Sequence, residues 1–150
     1  MNAAGNADLA KRAYLQAILA VGTWLLISGA IYVNTLERYG YSGVSTLYDA
    51  ISVSSLIVFI GTLVLMFKLK IETALALSSI LLVITYYARL SHIALSRECE
   101  VLLLPLVTVV ELKDSGFGSL SLDLGQLGLY TLLYLAAKSS IVKAYLKRIK

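Results

Sequence analysis

Four long apolar runs constrain this chain more than any other feature of its sequence. A hydrocarbon core about 30 Å thick needs about 20 helical residues to cross it. Runs of this length predict membrane-spanning helices over Ala13–Val33, Leu47–Phe67, Thr73–Leu95 and Leu124–Val142. Because Lys138 interrupts the fourth run, we expect its helix either to shift toward the C-terminus or to let the lysine extend to the headgroups.

The composition assigns the chain to the membrane proteins. Of its 150 residues, 59% are hydrophobic and 15% are charged, whereas soluble domains have about 45–50% apolar and about 25% charged residues. The first apolar run is longer than the core of a signal peptide, about 7–15 residues, and reads as a retained span. We predict one domain over 1–150, an all-α membrane protein whose core is a four-transmembrane-helix bundle.

The charged residues predict the orientation of the chain. With four spans, the side that carries both termini has nine basic and two acidic residues, a net charge of +7. The opposite side has four basic and seven acidic residues, a net charge of −3. The positive-inside rule therefore predicts a multi-pass protein of the cell membrane with both termini cytoplasmic. Because the basic residues adjoin spans and do not cluster on a soluble face, we expect no nucleic-acid partner.

The stretch "VLLLPLVTVVEL", Val101–Leu112, is apolar but too short to be a fifth span. Twelve helical residues cover only about 18 Å, and Pro105 would remove a helical hydrogen bond. Val107–Leu112 is rich in β-branched residues and Ser119–Asp123 alternates in polarity, with turn residues between them. The sequence predicts an extracytoplasmic β-hairpin within 101–123, its apolar face on the helix ends or on the lipid surface. A short interfacial helix is the alternative.

Arg89, Asp49 and His92 form a candidate polar cluster near the outer membrane surface. Arg89 lies about 24 Å along the third helix, so we expect it to extend to the surface or to pair with Asp49 or Glu37; an anion-binding role is the alternative. His92 and Cys99 are the only residues of their types, and together they supply half of a zinc site. We therefore expect no metal and no cofactor.

Cys99 and Trp24 are candidates for contacts between molecules. A lone cysteine cannot form a disulfide within the chain, so Cys99 is either an inert thiol or half of a disulfide across a dimer. Trp24 lies in the middle of the first span, too deep for an aromatic belt, where it fills a packing gap or contacts a neighbouring protein.

The middle of each span lacks ionisable residues, which disfavours a proton-coupled transporter. The sequence also contains no hydrolase, metalloprotease or nucleotide-binding motif, so we expect no catalytic residues. Small residues in the spans favour close helix packing. The leading prediction is a non-enzymatic accessory or structural subunit that packs within a larger membrane complex or a homo-oligomer. An oligomeric passive pore or a lipid-binding module is the alternative, ahead of an enzyme using lipid or quinone at the outer cluster.

Residues 56–93, "LIVFIGTLVLMFKLKIETALALSSILLVITYYARLSHI", resemble the PsiE family of small four-helix membrane proteins linked to phosphate starvation. The shared features are an apolar span, a basic turn with Lys68 and Lys70, and a third span that ends with Arg89 near His92. The external region 99–123 is longer than the family pattern. The resemblance implies a four-helix fold and carries over Arg89 alone as a shared position.

Overall fold

The described residues form four helices and three strands. The computed structural model describes residues 3–39, 44–96, 99–112 and 118–138. The helices are α1 (Ala3–Tyr39), α2 (Val44–Met66), α3 (Glu72–Ser96) and α4 (Leu124–Lys138), and the strands are β1 (Cys99–Leu104), β2 (Val107–Leu112) and β3 (Gly118–Leu122). All three strands lie between α3 and α4 in the sequence. The chain is therefore mostly helical with one small sheet.

Three of the helices are long and apolar enough to cross a membrane, namely α1 over Ala7–Glu37, α2 and α3. The bounds of α2 and α3 agree with the predicted ones within about one turn. Helix α1 contains the predicted span Ala13–Val33 and extends beyond it at both ends, since the helix has 37 residues. Lys11 and Arg12 limit the apolar run, but both are good helix formers, so the helix continues beyond it.

Helix α4 begins at Leu124, where the fourth span was predicted to begin. The described part ends at Lys138, and the remainder of the predicted span, 139–142, lies outside the described residues. Lys138 Nζ lies 2.8 Å from Glu72 Oε1, in the first turn of α3. This ion pair ties the last described turn of α4 to the start of α3, where a carboxylate also interacts favourably with the helix dipole.

Helix α3 is the centre of the structure and packs against α1, α2 and α4. Leu75 and Leu82 of α3 are almost completely buried, and Phe59 of α2 completes the apolar core with them. Because α4 packs mainly on α3, the position of α4 depends on one helix–helix interface.

Two glycines allow α4 to lie close to α3. A Cβ atom at Gly125 would lie 2.6 Å from Cε2 of Tyr87. One at Gly128 would lie 2.9 Å from Cγ2 of Val83 and 3.0 Å from the carbonyl oxygen of Ser79. Small residues at a helix interface permit this approach, and a side chain at either position would push the helices apart.

The region between α3 and α4 forms an antiparallel sheet with the strand order β1-β2-β3. The predicted pairing of Val107–Leu112 with Ser119–Asp123 is confirmed, with Val107 opposite Leu122. The predicted turn between these strands lies in 113–117, outside the described residues. The alternative of an interfacial helix was wrong, because Val107–Leu112 is a strand.

The prediction of two strands was also wrong, because Cys99–Leu104 pairs with β2 as a third. Pro105 and Leu106 connect β1 to β2, and Leu106 has a φ of 62°. A turn with proline first and a positive φ second reverses the chain within two residues. The sequence pattern did not predict β1, because the run of three leucines lacks the alternation of a half-buried strand.

The two faces of the sheet differ in their surroundings. Thr108 on the inner face is fully buried, and Cys99 on the same face is nearly so. The opposite face, which we call the outer sheet face, carries six aliphatic residues and, at one end, two glutamates paired across the strands: Leu102, Leu104, Val107, Val109, Leu120, Leu122, Glu100 and Glu111. The four leucines of this face are all exposed.

We expect Gly128→Ala to lower the free energy of unfolding by about 1–3 kcal/mol, because its Cβ would collide with α3 backbone and with Val83. Thermal melting in a mild detergent measures this. Gly29→Ala is the matched control, since a Cβ there meets nothing within 4 Å. It should leave stability unchanged or raise it by up to about 1 kcal/mol; an equal loss in both variants would contradict close packing at Gly128.

Candidate functional site

The outer polar cluster joins α2 to α3 near the ends that adjoin the sheet. Nε of Arg89 donates a hydrogen bond to Oδ1 of Asp49 at 2.5 Å. The two side chains are 40% and 56% exposed. The structure thus pairs Arg89 with Asp49, whereas Glu37 lies exposed on α1.

His92 lies beside this ion pair. Its ring contacts the ring of Tyr48, with centroids 4.9 Å apart and the planes tilted by 35°. The side chains of Tyr48, Asp49, Arg89 and His92 line a cavity of about 90 Å³ together with Ser96. Since Asp49 already neutralises the arginine, the cavity offers an anion little net positive charge. The ion pair therefore connects α2 to α3 through polar side chains.

A second set of polar side chains lies between the packed helices and forms what we call the hydroxyl network. Its hydrogen bonds between helices are Ser28 Oγ to Ser54 Oγ at 2.5 Å, Trp24 Nε1 to Ser55 Oγ at 2.8 Å, Thr85 Oγ1 to Ser55 Oγ at 3.0 Å, and Thr62 Oγ1 to Ser78 Oγ at 2.7 Å. Ser54, Ser55 and Ser78 are fully buried. The network therefore links α1 to α2 and α2 to α3.

The hydroxyls of the network also contact carbonyl groups of their own helices, as Ser54 does with Ala50 and Thr62 with Val58. Hydrogen bonds between membrane helices contribute on average about 0.6 kcal/mol each, so the network adds specificity more than strength. Among the described residues, no buried side-chain nitrogen or oxygen lacks a hydrogen-bond partner. The buried polar side chains of the described residues are thus hydrogen-bonded within the protein.

Trp24 and Cys99 lie in different environments. The indole N–H of Trp24 is bonded within the chain, and the ring is half-buried, so part of it remains available to a neighbour. Cys99 begins β1 and is buried, with 8% of its surface exposed. Their contacts with other molecules stay predictions.

A third polar set joins the sheet to α3 and α4 and centres on the fully buried carboxylate of Asp123, so we call it the Asp123 junction. Asp123 caps α4, because its Oδ1 accepts a hydrogen bond from the backbone N–H of Gln126 at 2.8 Å. Its Oδ2 accepts one from the side chain of Gln126 at 3.0 Å. The hydroxyl of Tyr87 on α3 lies 3.3 Å from Oδ1.

The side chain of Gln126 also holds the turn between β1 and β2. Its Oε1 accepts a hydrogen bond from the N–H of Leu106, and its Nε2 donates one to the carbonyl of Leu104, both at 2.8 Å. The N–H of Asp123 donates to the carbonyl of Leu106 at 2.9 Å. A leucine rarely adopts a positive φ, so these bonds hold Leu106 in a strained conformation.

Tyr86 adds another contact between the sheet and α3. Its hydroxyl lies 3.2 Å from both Thr108 Oγ1 and the carbonyl oxygen of Leu122. The sequence analysis did not identify Asp123 or Gln126 as structural residues. The signal was present, since Asp-Leu-Gly-Gln has the form of a capping box in front of an apolar run.

Two apolar grooves remain between the helices. One, of about 490 Å³, is lined mainly by α2 and α4 and includes Phe59, Met66, Tyr130 and Tyr134. The other, of about 400 Å³, lies between α1 and α2 with Gly61 on its wall. Both grooves suit apolar chains or side chains of another helix.

The described residues contain no group of three or more histidines, cysteines and acids arranged to hold a metal ion. Comparisons with protein-family models, curated proteins and solved structures found no match for this chain. The resemblance to the PsiE family stays a prediction.

We expect Asp123→Ala to lower the free energy of unfolding by about 2–4 kcal/mol, because it removes a helix cap and leaves buried donors without an acceptor. Asp49→Ala is the control for the exposed ion pair and should cost no more than about 1 kcal/mol. Thermal melting of both variants in the same detergent compares them, and a larger loss for Asp49→Ala would refute this ranking.

We expect Ser55→Ala to shift the emission of the single tryptophan to shorter wavelengths, because the indole N–H of Trp24 loses its acceptor. Ser79→Ala is the control: Ser79 is equally buried, but its hydroxyl bonds to the carbonyl of Leu75 in its own helix. Steady-state fluorescence in detergent gives the comparison. Equal shifts in the two variants would contradict the hydrogen bond between Trp24 and Ser55.

Proposed function

We propose that this protein is a non-enzymatic, multi-pass protein of the cell membrane that acts as an accessory or structural subunit. In this proposal all four helices lie in the bilayer, both termini are cytoplasmic and the sheet lies on the outer side. The positive-inside distribution of the charges supports the orientation. The partner is another membrane protein or further copies of this chain.

The exposed face of α1 carries the proposal. Only 11% of its most apolar 18-residue window is buried, compared with 39% in α2 and 44% in α3. Its polar side chains Trp24 and Ser28 point to α2, where they are bonded. The remaining surface is apolar and suits lipid or a second membrane protein.

Gly22 and Gly29 favour a protein over lipid on this face. They are seven residues apart and therefore lie on the same side of α1, and a Cβ at either position would meet nothing within 4 Å. Glycine weakens a helix by about 1 kcal/mol relative to alanine, and no close packing against the part of the chain that the structure describes accounts for either residue. Leu26, between them, is 77% exposed. A neighbouring helix would pack closely into the notches that the glycines leave.

The groove between α2 and α4 favours a lipid-binding module as the second candidate. Its lining is largely apolar and aromatic. Lys68 follows Phe67 at the rim and is exposed, so it could accompany a lipid whose chains occupy the groove. A passive pore receives less support, because the serine and threonine side chains that would line it are bonded to one another inside the chain.

We expect extraction from the native membrane in mild detergent to yield a stoichiometric complex with a second protein or with further copies of the chain. Native mass spectrometry identifies the components. A monomer alone, with bound lipid, would contradict the subunit proposal and support the lipid-binding candidate.

The variant Gly22→Leu/Gly29→Leu should abolish the complex with little change in the stability of the chain, because a Cβ atom at either position meets no described atom within 4 Å. Val64→Phe is the control, since it adds bulk at a residue of α2 that is 61% exposed. This control should retain the complex. Retention by the double variant would exclude the α1 face as the interface.

A further inference from the structure

The outer sheet face forms an apolar surface that no described element covers. Its residues lie in three rows across the strands: Glu100, Glu111 and Gly118; Leu102, Val109 and Leu120; Leu104, Val107 and Leu122. Successive rows are about 6.7 Å apart. One end of the face is therefore acidic and the other two thirds are aliphatic.

The direction of this gradient follows from the connections of the sheet. β1 begins three residues after α3 ends, so the acidic row lies near the outer end of α3. The opposite end of the sheet adjoins α4, because Gln126 binds Leu104 and Leu106, and it also adjoins Tyr86. Tyr86 precedes the end of α3 by ten residues, or about 15 Å. The aliphatic rows thus lie beside the body of α3, level with Tyr86, and the acidic row lies beside the last turns of α3.

The acidic row requires water. Glu100 and Glu111 are directly opposite each other, and like charges in this position repel unless a solvent of high dielectric constant screens them. The ion pairs among the described residues, Arg89–Asp49 and Lys138–Glu72, do not include either glutamate. Both glutamate side chains are exposed.

The aliphatic end, in contrast, has its backbone groups bonded internally. Both the N–H and the carbonyl of Leu106 have partners, as do the carbonyls of Leu104 and Leu122. Turns in water leave such groups to the solvent, whereas a lipid environment requires partners within the protein. At the tip, moreover, a leucine occupies a positive-φ position that glycine would take without strain. The fold therefore tolerates backbone strain at a position where an apolar side chain is present instead of glycine.

We infer that the outer sheet face contacts the outer leaflet of the bilayer, with Leu104, Leu106 and Leu122 in the acyl region and Glu100 and Glu111 in the aqueous phase. This inference rests on the proposed function, since it places α1 to α3 in the membrane. A second copy of the sheet is a poor alternative occupant. Three strands by three rows have a flat footprint of only about 250 Å². This is small for a stable interface, which buries about 800 Å² of accessible surface on each partner.

The inference also accounts for the position at which α4 begins. The described part of α4 begins level with Tyr86 and Tyr87, not at the outer end of α3. The sheet occupies the space above it, beside the last turns of α3. In the outer leaflet the sheet thus replaces the part of the fourth helix that would otherwise face lipid.

Fluorescent labelling of single cysteines tests the inference in the full chain, reconstituted into phosphatidylcholine vesicles. The background is Cys99→Ala, and the label positions are Glu100→Cys, Leu102→Cys and Leu104→Cys, one in each row of β1. We expect quenching by aqueous iodide to fall from residue 100 to residue 104 by about threefold or more, while quenching by nitroxide-labelled lipid rises, as for a surface that enters the leaflet by about 5–10 Å. Melting temperatures identify any variant that fails to fold.

Ile84→Cys, in the middle of α3 and 60% exposed, separates the two proposals without involving the α1 face. If its label is quenched by lipid while those at residues 102 and 104 are quenched by iodide, the chain is in the membrane and the inference about the sheet is overturned. Labels at 102 and 104 that neither quencher affects would mean that protein covers the face, which also overturns it. If iodide quenches the label at residue 84 as well, α3 does not lie in the membrane, and the proposed function itself is contradicted.

Discussion

The buried carboxylate of Asp123 accepts hydrogen bonds from α3 and α4 and stands where the sheet ends and α4 begins. Through Gln126 the same junction holds the turn between β1 and β2, and through the neighbouring Tyr86 it adjoins the buried Thr108. A charged group without water is costly unless it is fully bonded. The positions of the sheet, of the first turn of α4 and of the part of α3 around Tyr86 and Tyr87 therefore depend on one another.

The same constraint governs the rest of the fold on a smaller scale. In a chain this apolar, burial alone distinguishes poorly between alternative helix packings, because many apolar faces are equivalent. Ser28 with Ser54, and Thr62 with Ser78, specify which helix faces meet. Gly125 and Gly128 then set how closely α4 approaches α3. Polar pairs and close contacts thus select one arrangement, while apolar contacts supply most of the surface.

The proposed subunit role and the inferred lipid contact concern different surfaces. The exposed face of α1 has glycine notches at Gly22 and Gly29, which favour another helix. The outer sheet face lacks such notches and changes from aliphatic to acidic along its length, as a surface at the water boundary would. A protein with these two surfaces would be fixed in depth by the sheet and joined to its partner through α1.

The sequence alone determined the number and approximate places of the helices, because about 20 apolar residues in a row leave few alternatives to a helix. It also identified the pairing of β2 with β3 from alternation and turn residues. It did not reveal β1, whose leucines are apolar on both faces, or the full length of α1, whose ends are polar but helical. Only the tertiary structure decided that the Ser55 hydroxyl accepts the Trp24 indole, that Arg89 pairs with Asp49, and that Asp123 is buried. Those outcomes depend on which helix faces meet, and hydrogen bonds between residues about 30 or more positions apart carry no local pattern in the sequence.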